Sequence, residues 1–196
     1  ALPTYGYIVA FDTSGKFIGL SAEGPSRSWG EGTVLRAVRA DPKAMAGLVN
    51  GWEEDRPANM EGVIWYRLPV DTDRMNWKWA TLSEIMAGRV VCGETKVLIE
   101  YPEEPKRELF ELVVENSGNA DLSARIRVNI ECERSELFAG DGLRGFALIE
   151  KDAGHVSLEY QDSRDLAVLA PGERWKVGWL RFSEDTEISV NAEEMD

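Results

Sequence analysis

Seven residues whose types suit ligand recognition stand close together. Tyr66 and Arg67 lie in Tyr66-Arg67-Leu68-Pro69, and Asp71, Asp73, Arg74, Trp77 and Trp79 follow in the run Asp71-Thr72-Asp73-Arg74-Met75-Asn76-Trp77-Lys78-Trp79. An indole offers a broad apolar face with one polar handle, so a sugar ring can rest its C–H face against it. Carboxylates and guanidinium groups then add directional, charge-assisted hydrogen bonds. In this candidate ligand-binding set, Trp77 or Trp79 would be the platform, Asp71, Asp73 and Arg74 the polar contacts, and Tyr66 and Arg67 the floor. Packing competes with each assignment. Arg67 can simply pair with Asp71 or Asp73, and both indoles can anchor the loop against the neighbouring domain. Four of the other tryptophans fit core positions better: Trp52 lies on a helical face, Trp65 in an apolar run, and Trp175 and Trp179 in an alternating strand.

Catalysis has weaker support. Glycoside hydrolysis needs two carboxylates about 5–10 Å apart, and Glu23 with Asp71 or Asp73 could meet at one rim. Acidic residues are so abundant here that chance pairing explains this equally well, so no catalytic residue is assigned. Asp71-x-Asp73 and a loop at Asp141 offer hard oxygen donors for calcium, but no EF-hand pattern accompanies them, and no metal site is assigned. Two cysteines and one histidine exclude a structural zinc site of the usual kind. His155 is the single histidine a triad could use, and nothing in its neighbourhood marks one. Cys92 and Cys132 are open between one disulfide and two thiols. The glycine-rich stretch 24–32 lacks the order of a phosphate-binding loop. No cofactor is expected.

The net charge of -13, from 35 acidic and 22 basic residues, repels phosphate backbones and anionic lipid. Nucleic acid is therefore excluded as a partner, and a glycan or a protein is the expected one. No run approaches the ~20 apolar residues of a membrane span, so no membrane insertion is expected. Hydrophobic content of 43% suffices for a packed core. The chain opens on Ala1, which reads as processed, truncated or carrying a tag remnant, and no signal peptide is visible.

The elements that must position the seven residues follow from periodicity. Strands are predicted at residues 5–11 and 16–20 around Asp12-Thr13-Ser14-Gly15, where Gly15 supplies positive φ. A third strand covers 33–38. Asp41-Pro42 opens a helix, the first capping it and the second fitting its first turn. Ala44, Met45, Leu48, Val49 and Trp52 share one face of that helix. The nearly continuous apolar run at 61–68 predicts a strand covered on both sides, as in a parallel sheet. Thr81-Leu82-Ser83-Glu84 is a capping-box pattern opening a short helix that ends near Gly88. The strand at 61–68 thus delivers Tyr66 and Arg67 to its carboxyl end, where α/β folds gather ligand contacts. This rhythm looks like the last part of an α/β barrel. A complete eight-fold barrel needs roughly 200 residues or more, so residues 1–91 are either a piece of one or a small α/β layer.

Residues 96–196 read as all-β, with seven strands at 96–101, 109–116, 124–132, 143–151, 156–161, 175–182 and 186–191. Phe110, Leu112 and Val114 share a face. So do Ile126, Val128 and Ile130, opposite Arg125, Arg127, Asn129 and Glu131. Trp175, Val177 and Trp179 are expected on one face.

Two resemblances refine this picture. Glu115-Asn116-Ser117-Gly118-Asn119-Ala120-Asp121 with Leu169-Ala170-Pro171-Gly172-Glu173 resembles the immunoglobulin-like domains of bacterial envelope and secreted proteins. Gly62-Val63-Ile64-Trp65-Tyr66-Arg67-Leu68-Pro69, with Trp77 and Thr81-Leu82, resembles an uncharacterised bacterial family with a barrel-like region before a β-sandwich. They imply an α+β chain: a partial, barrel-end-like α/β unit at 1–91 and an immunoglobulin-like β-sandwich at 96–196. They also imply export to the periplasm, cell envelope or extracellular space. The expected function is a non-catalytic accessory or interaction module directed at a glycan or protein. The rival expectation is the C-terminal fragment of a glycoside-hydrolase-like barrel enzyme.

Overall fold

The computed structural model describes residues 1–22, 29–70, 72–73, 75–102, 108–132, 135–152, 154–161 and 167–195. Among these the secondary structure is mostly β with two helices, an α+β composition. Two compact units form: Ala1–Cys92 with Asn119–Asp121, and Gly93–Gly118 with Leu122–Asp196.

The first unit runs β1 (Leu2–Pro3), β2 (Tyr7–Phe11), β3 (Phe17–Ala22), β4 (Val34–Val38), α1 (Pro42–Glu54), β5 (Trp65–Tyr66) and α2 (Trp79–Met86). β2 is the centre of a three-stranded antiparallel sheet flanked by β3 and β4. Its first turn is pinned by Asp12, whose Oδ1 accepts the N–H groups of Ser14 and Lys16, with Gly15 at φ +83°. α1 starts as its sequence requires. Asp41 accepts the N–H of Lys43 at 2.9 Å, and Pro42 occupies the first turn, where its missing donor costs nothing. The buried stripe is rotated from the expected one. Ala46 and Val49 are buried and Met45 and Trp52 half-buried, whereas Ala44 and Leu48 face out.

β1 and β5 pair in parallel, Leu2 beside Trp65 and Pro3 beside Tyr66, with α1 between them in the chain. Parallel neighbours need such a crossover. The strand expected over 61–68 shrinks to Trp65–Tyr66 and is covered on one side only. Val63 and Trp65 pack towards the helical core with Leu2, Val49, Trp77, Leu82 and Ile85. Ile64, Tyr66, Leu68 and Val70 are exposed. An apolar run reads as doubly covered whichever face its layer lies on; here the described residues supply a layer to one face.

α2 also departs from expectation. It begins at Trp79, two residues before the predicted capping box, and its N-cap residue Lys78 makes no side-chain cap. The acceptor comes instead from Asp121. Its Oδ2 takes the N–H of Lys78 at 2.7 Å and its Oδ1 the hydroxyl of Thr81 at 2.8 Å, while Thr81 Oγ1 accepts the N–H of Asp121 at 2.9 Å. Ala120 joins the same core, and Asn119 accepts the N–H of Cys92 and donates to the carbonyl of Val90, each at 2.9 Å.

The second unit comprises β6 (Thr95–Glu100), β7 (Leu109–Asn116), β8 (Leu122–Ser123), β9 (Ile126–Cys132), β10 (Leu137–Gly142), β11 (Phe146–Asp152), β12 (His155–Tyr160), β13 (Val168–Leu169), β14 (Arg174–Phe182) and β15 (Ile188–Glu194). Two four-stranded antiparallel sheets, ordered β10-β14-β7-β6 and β11-β12-β9-β15, share one core, and β8 pairs β13 separately. Phe110, Leu112 and Val114 of one sheet meet Ile126, Val128 and Ile130 of the other. The outward faces carry cross-strand ion pairs: Arg127 bridges Glu159 and Glu193, and Arg174 meets Glu115.

Two features correct the sequence reading. β10 was not predicted, because Ala139-Gly140-Asp141-Gly142 reads as a turn; it places Asp141 in a strand rather than a calcium-binding loop. Its glycines are packing requirements. A Cβ on Gly142 would stand 2.1 Å from the Phe146 carbonyl oxygen, and one on Gly140 would stand 2.8 Å from a Leu180 methyl. In β14 a register shift between Lys176 and Gly178 leaves Trp175 opposite Val114 and Trp179 opposite Glu111. One extra residue reverses the alternation, so the two indoles occupy opposite faces.

The residues carrying the immunoglobulin-like resemblance bind one another. Buried Asn116 donates from Nδ2 to the Leu169 carbonyl at 2.9 Å, and the N–H of Gly172 donates to the Asn116 carbonyl at 2.8 Å. Glu173 accepts from the N–H of Ala170 and the indole of Trp175. Both cysteines are free thiols, Cys92 exposed and Cys132 buried.

Candidate functional site

The carboxyl ends of β1 and β5 meet the loop that follows β5. On one side, the N–H groups of Leu2 and Thr4 donate to the carbonyls of Ile64 (2.8 Å) and Tyr66 (2.9 Å), and the Thr4 hydroxyl donates to the Arg67 carbonyl. On the other, Gly6 donates to the Met75 carbonyl at 2.8 Å, and Trp77 donates to the Thr4 carbonyl at 2.9 Å. Tyr5 bridges Asn76. The segment from Leu2 to Gly6 is thus flanked by β5 and by its returning loop. The Tyr66–Arg67 peptide is cis.

Asp73 organises the loop. Its buried carboxylate accepts from Arg67 Nη2, from the N–H of Val70 at 3.1 Å and from Asn76 Nδ2 at 3.2 Å. Burial alone would raise its pKa; the bonds from Val70, Asn76 and Arg67, with the guanidinium charge, outweigh that and hold it below the usual carboxylate range. Lys78 Nζ donates to the Asp73 carbonyl at 3.2 Å. Asn76 is 1% exposed. Its Nδ2 faces two acceptors, Asp73 Oδ2 and the Arg67 carbonyl at 3.3 Å, which fixes the amide orientation. Its Oδ1, buried in the same cluster, has no hydrogen-bond partner.

The predicted residues divide sharply. Tyr66, Arg67 and Asp73 come together. Tyr66 is 60% exposed and meets Tyr5 edge-to-face, with ring centroids 5.7 Å apart. Trp77 is 4% exposed, donates its indole N–H to the Ala40 carbonyl at 2.9 Å and tilts against Trp65; it is a core residue. Trp79, 56% exposed, opens α2. Asp71 and Arg74 lie outside the described residues, as does Glu23, the proposed partner in a carboxylate pair. A shallow depression lined by Pro57, Met60, Val63 and Ile64 sits at the entry to β5 rather than at its exit.

Sequence reasoning missed Thr4, Tyr5, Asn76 and Lys78. Asn76 and Lys78 lie inside the run already singled out, and a carboxylate needing donors pointed to them. Thr4 and Tyr5 follow a two-residue strand with no period to read. The assembled chemistry is that of binding. Asp73, ionised and bonded on both oxygens, is a poor proton donor and a firm support for Arg67, beside an exposed phenol ring.

Residues 1–71 match a domain of unknown function, DUF3142, and residues 99–183 match a second one, DUF8456. The first match includes Tyr66 and Arg67 and ends before Asp73. No curated protein matches the chain.

Proposed function

We propose that this chain is a non-catalytic recognition module of an exported bacterial protein, directed at a glycan through the exit of β5 and carrying an immunoglobulin-like sandwich as its second domain. The observation that carries the reading is the exposed Tyr66 ring, braced by Tyr5, beside an Arg67 whose guanidinium is oriented by buried Asp73. A flat aromatic with a few fixed polar groups is the usual make-up of a sugar site. The locked, ionised state of Asp73 favours binding over acid catalysis. Gel retardation in embedded polysaccharides tests this reading. The wild-type chain is retarded by at least one glycan and Tyr66→Ala migrates freely; equal migration of both in every gel rejects it.

A second reading, the C-terminal part of a glycoside-hydrolase-like barrel protein, is favoured by one observation. Residues 63–70 are apolar on both faces beside a parallel neighbour, and Ile64, Tyr66, Leu68 and Val70 stay exposed. Parallel strands are normally buried on both faces. Hydrogen exchange on the native gene product separates the readings: amides of residues 63–70 strongly protected there but labile in this chain favour the barrel, and equal exchange favours the module.

A further inference from the structure

We infer that the free edge of β4 accepts an extended segment of a partner protein as a fourth strand, with an acidic side chain opposite Arg36 and apolar ones opposite Val34 and Val38. Residues paired across a sheet share a face. Val9 and Phe11 of β2, Leu20 and Phe17 of β3, and Val34 and Val38 of β4 therefore lie on one side of the three-stranded sheet, together with Arg36. The two central side chains are half-buried, whereas Phe17, Leu20, Val34 and Val38 are 41–57% exposed. A contiguous exposed apolar face marks an interaction surface. Arg36 is the only charged residue of the three strands. Its guanidinium lies 5.5 Å from the centroid of the Phe11 ring, and among the described residues no hydrogen bond or ion pair engages it. Arg127 and Arg174, on strands of the second unit, each meet a carboxylate; Arg36 meets only a ring.

Neither β3 nor β4 has an outer neighbour among the described residues. Sheet edges are commonly protected by bulges, proline or crowded charge. β3 has such a device, a register shift opposite Ala10 and Phe11. β4 pairs with β2 without a break from Val34 to Val38 and contains no proline. Its outward backbone groups are a regular template for strand addition, and its exposed side chains set the sequence that fits. Cross-strand neighbours attract when their charges are opposite and destabilise when they are alike. A second copy pairing antiparallel through β4 and centred on Arg36 would set Arg36 against Arg36. The charge that opposes this self-pairing favours a partner's carboxylate. Most of the acidic excess of the chain belongs to the second unit, which leaves the first near neutrality and the edge open to an acidic strand. The pattern recognised is apolar-x-acidic-x-apolar.

Residue-resolved amide shifts of the full chain, titrated with three capped peptides, test the inference. One alternates threonine and valine about a central glutamate; the others carry glutamine or lysine in its place. The glutamate peptide should bind saturably and move the amides of residues 34–38. Glutamine should weaken it at least about threefold, lysine should abolish binding, and added salt should narrow the difference. Arg36→Glu should reverse the order of the glutamate and lysine peptides, and Val38→Asp should weaken all three. Near-ultraviolet circular dichroism, reporting buried Trp77, verifies that each variant is folded. Equal binding of the three peptides, an order unchanged in folded Arg36→Glu, or shifts centred on β3 or the second unit overturn the inference. So does binding by none of them. Sedimentation of the wild-type chain alone covers the other occupant: a monomer agrees with the inference, and self-association abolished by Val38→Asp gives the edge to a second copy and overturns it.

Discussion

Asp121 accepts the backbone N–H of Lys78, 43 residues earlier in the chain, at 2.7 Å, and so caps the helix that starts at the next residue. The N–H groups of a helical first turn have no partners within the helix, and a side-chain acceptor satisfies one of them. Thr81 completes the arrangement by donating to the same carboxylate and accepting from the Asp121 N–H. Asp121→Ala should therefore destabilise the first unit by about 1–2 kcal/mol. Asp121→Asn, which keeps an acceptor oxygen, should lose clearly less. Urea denaturation of the two variants measures both; equal losses would mean that the cap contributes nothing beyond burial.

Asp121 and Asp73 should respond to pH in opposite directions. Burial raises the pKa of Asp121 above its ordinary 3.8, against the opposing bonds from Lys78 and Thr81 and the charges of Lys78 and Arg39. Its contribution is then fully present below 3.8 and is lost as pH rises through its folded value. At Asp73 the hydrogen bonds and Arg67 outweigh burial and lower the pKa, so its contribution is present above 3.8 and is lost as pH falls through its folded value. The stability of wild type minus that of Asp121→Asn should fall as pH is raised from about 4, the ordinary range of an aspartate. A difference that rises over the same range would place the cap's charge in a better-solvated setting.

Because Asn119–Asp121 belong to the first unit, residues 1–92 alone lack both the α2 cap and the core side chain of Ala120. That fragment should not fold. Limited proteolysis of the whole chain should yield no stable piece ending near Cys92, and the same fragment expressed alone should give a collapsed amide spectrum. A dispersed spectrum would show that the excursion is dispensable.

Ile126 is fully buried where the two sheets of the second unit share their core, whereas its neighbour Arg127 points outward to Glu159 and Glu193. Ile126→Ala should cost about 2–5 kcal/mol through lost burial and a residual cavity. Arg127→Ala should cost far less, since half-exposed ion pairs contribute little. Chemical denaturation with equal losses at both positions would reverse the strand's facing.

Local signals were legible in the sequence and distant ones were not. Asp41-Pro42 announces α1 because cap and helix are adjacent, and the alternation of Ile126, Val128 and Ile130 announces β9 because period and burial coincide. The cap of α2 was invisible, since its acceptor is remote in sequence; the nearer Thr81–Glu84 pattern attracted the prediction instead. The reversal between Trp175 and Trp179 depends on one residue of bulge that no alternation count reveals. β10 was hidden by glycines selected for close packing, not for turning. At the site, the Arg67–Asp73 pair was readable from proximity. Trp77 and Trp79 are the same residue type two positions apart, and only the fold separates a core indole from an exposed one.

Residue-resolved amide shifts during titration with a panel of neutral and acidic oligosaccharides test glycan recognition at the exit of β5 most directly. For at least one glycan, the shifts should cluster on Thr4, Tyr5, Tyr66, Arg67 and Asn76 and disappear in Tyr66→Ala. A panel that leaves all five unmoved, or shifts confined to the second unit, would contradict it.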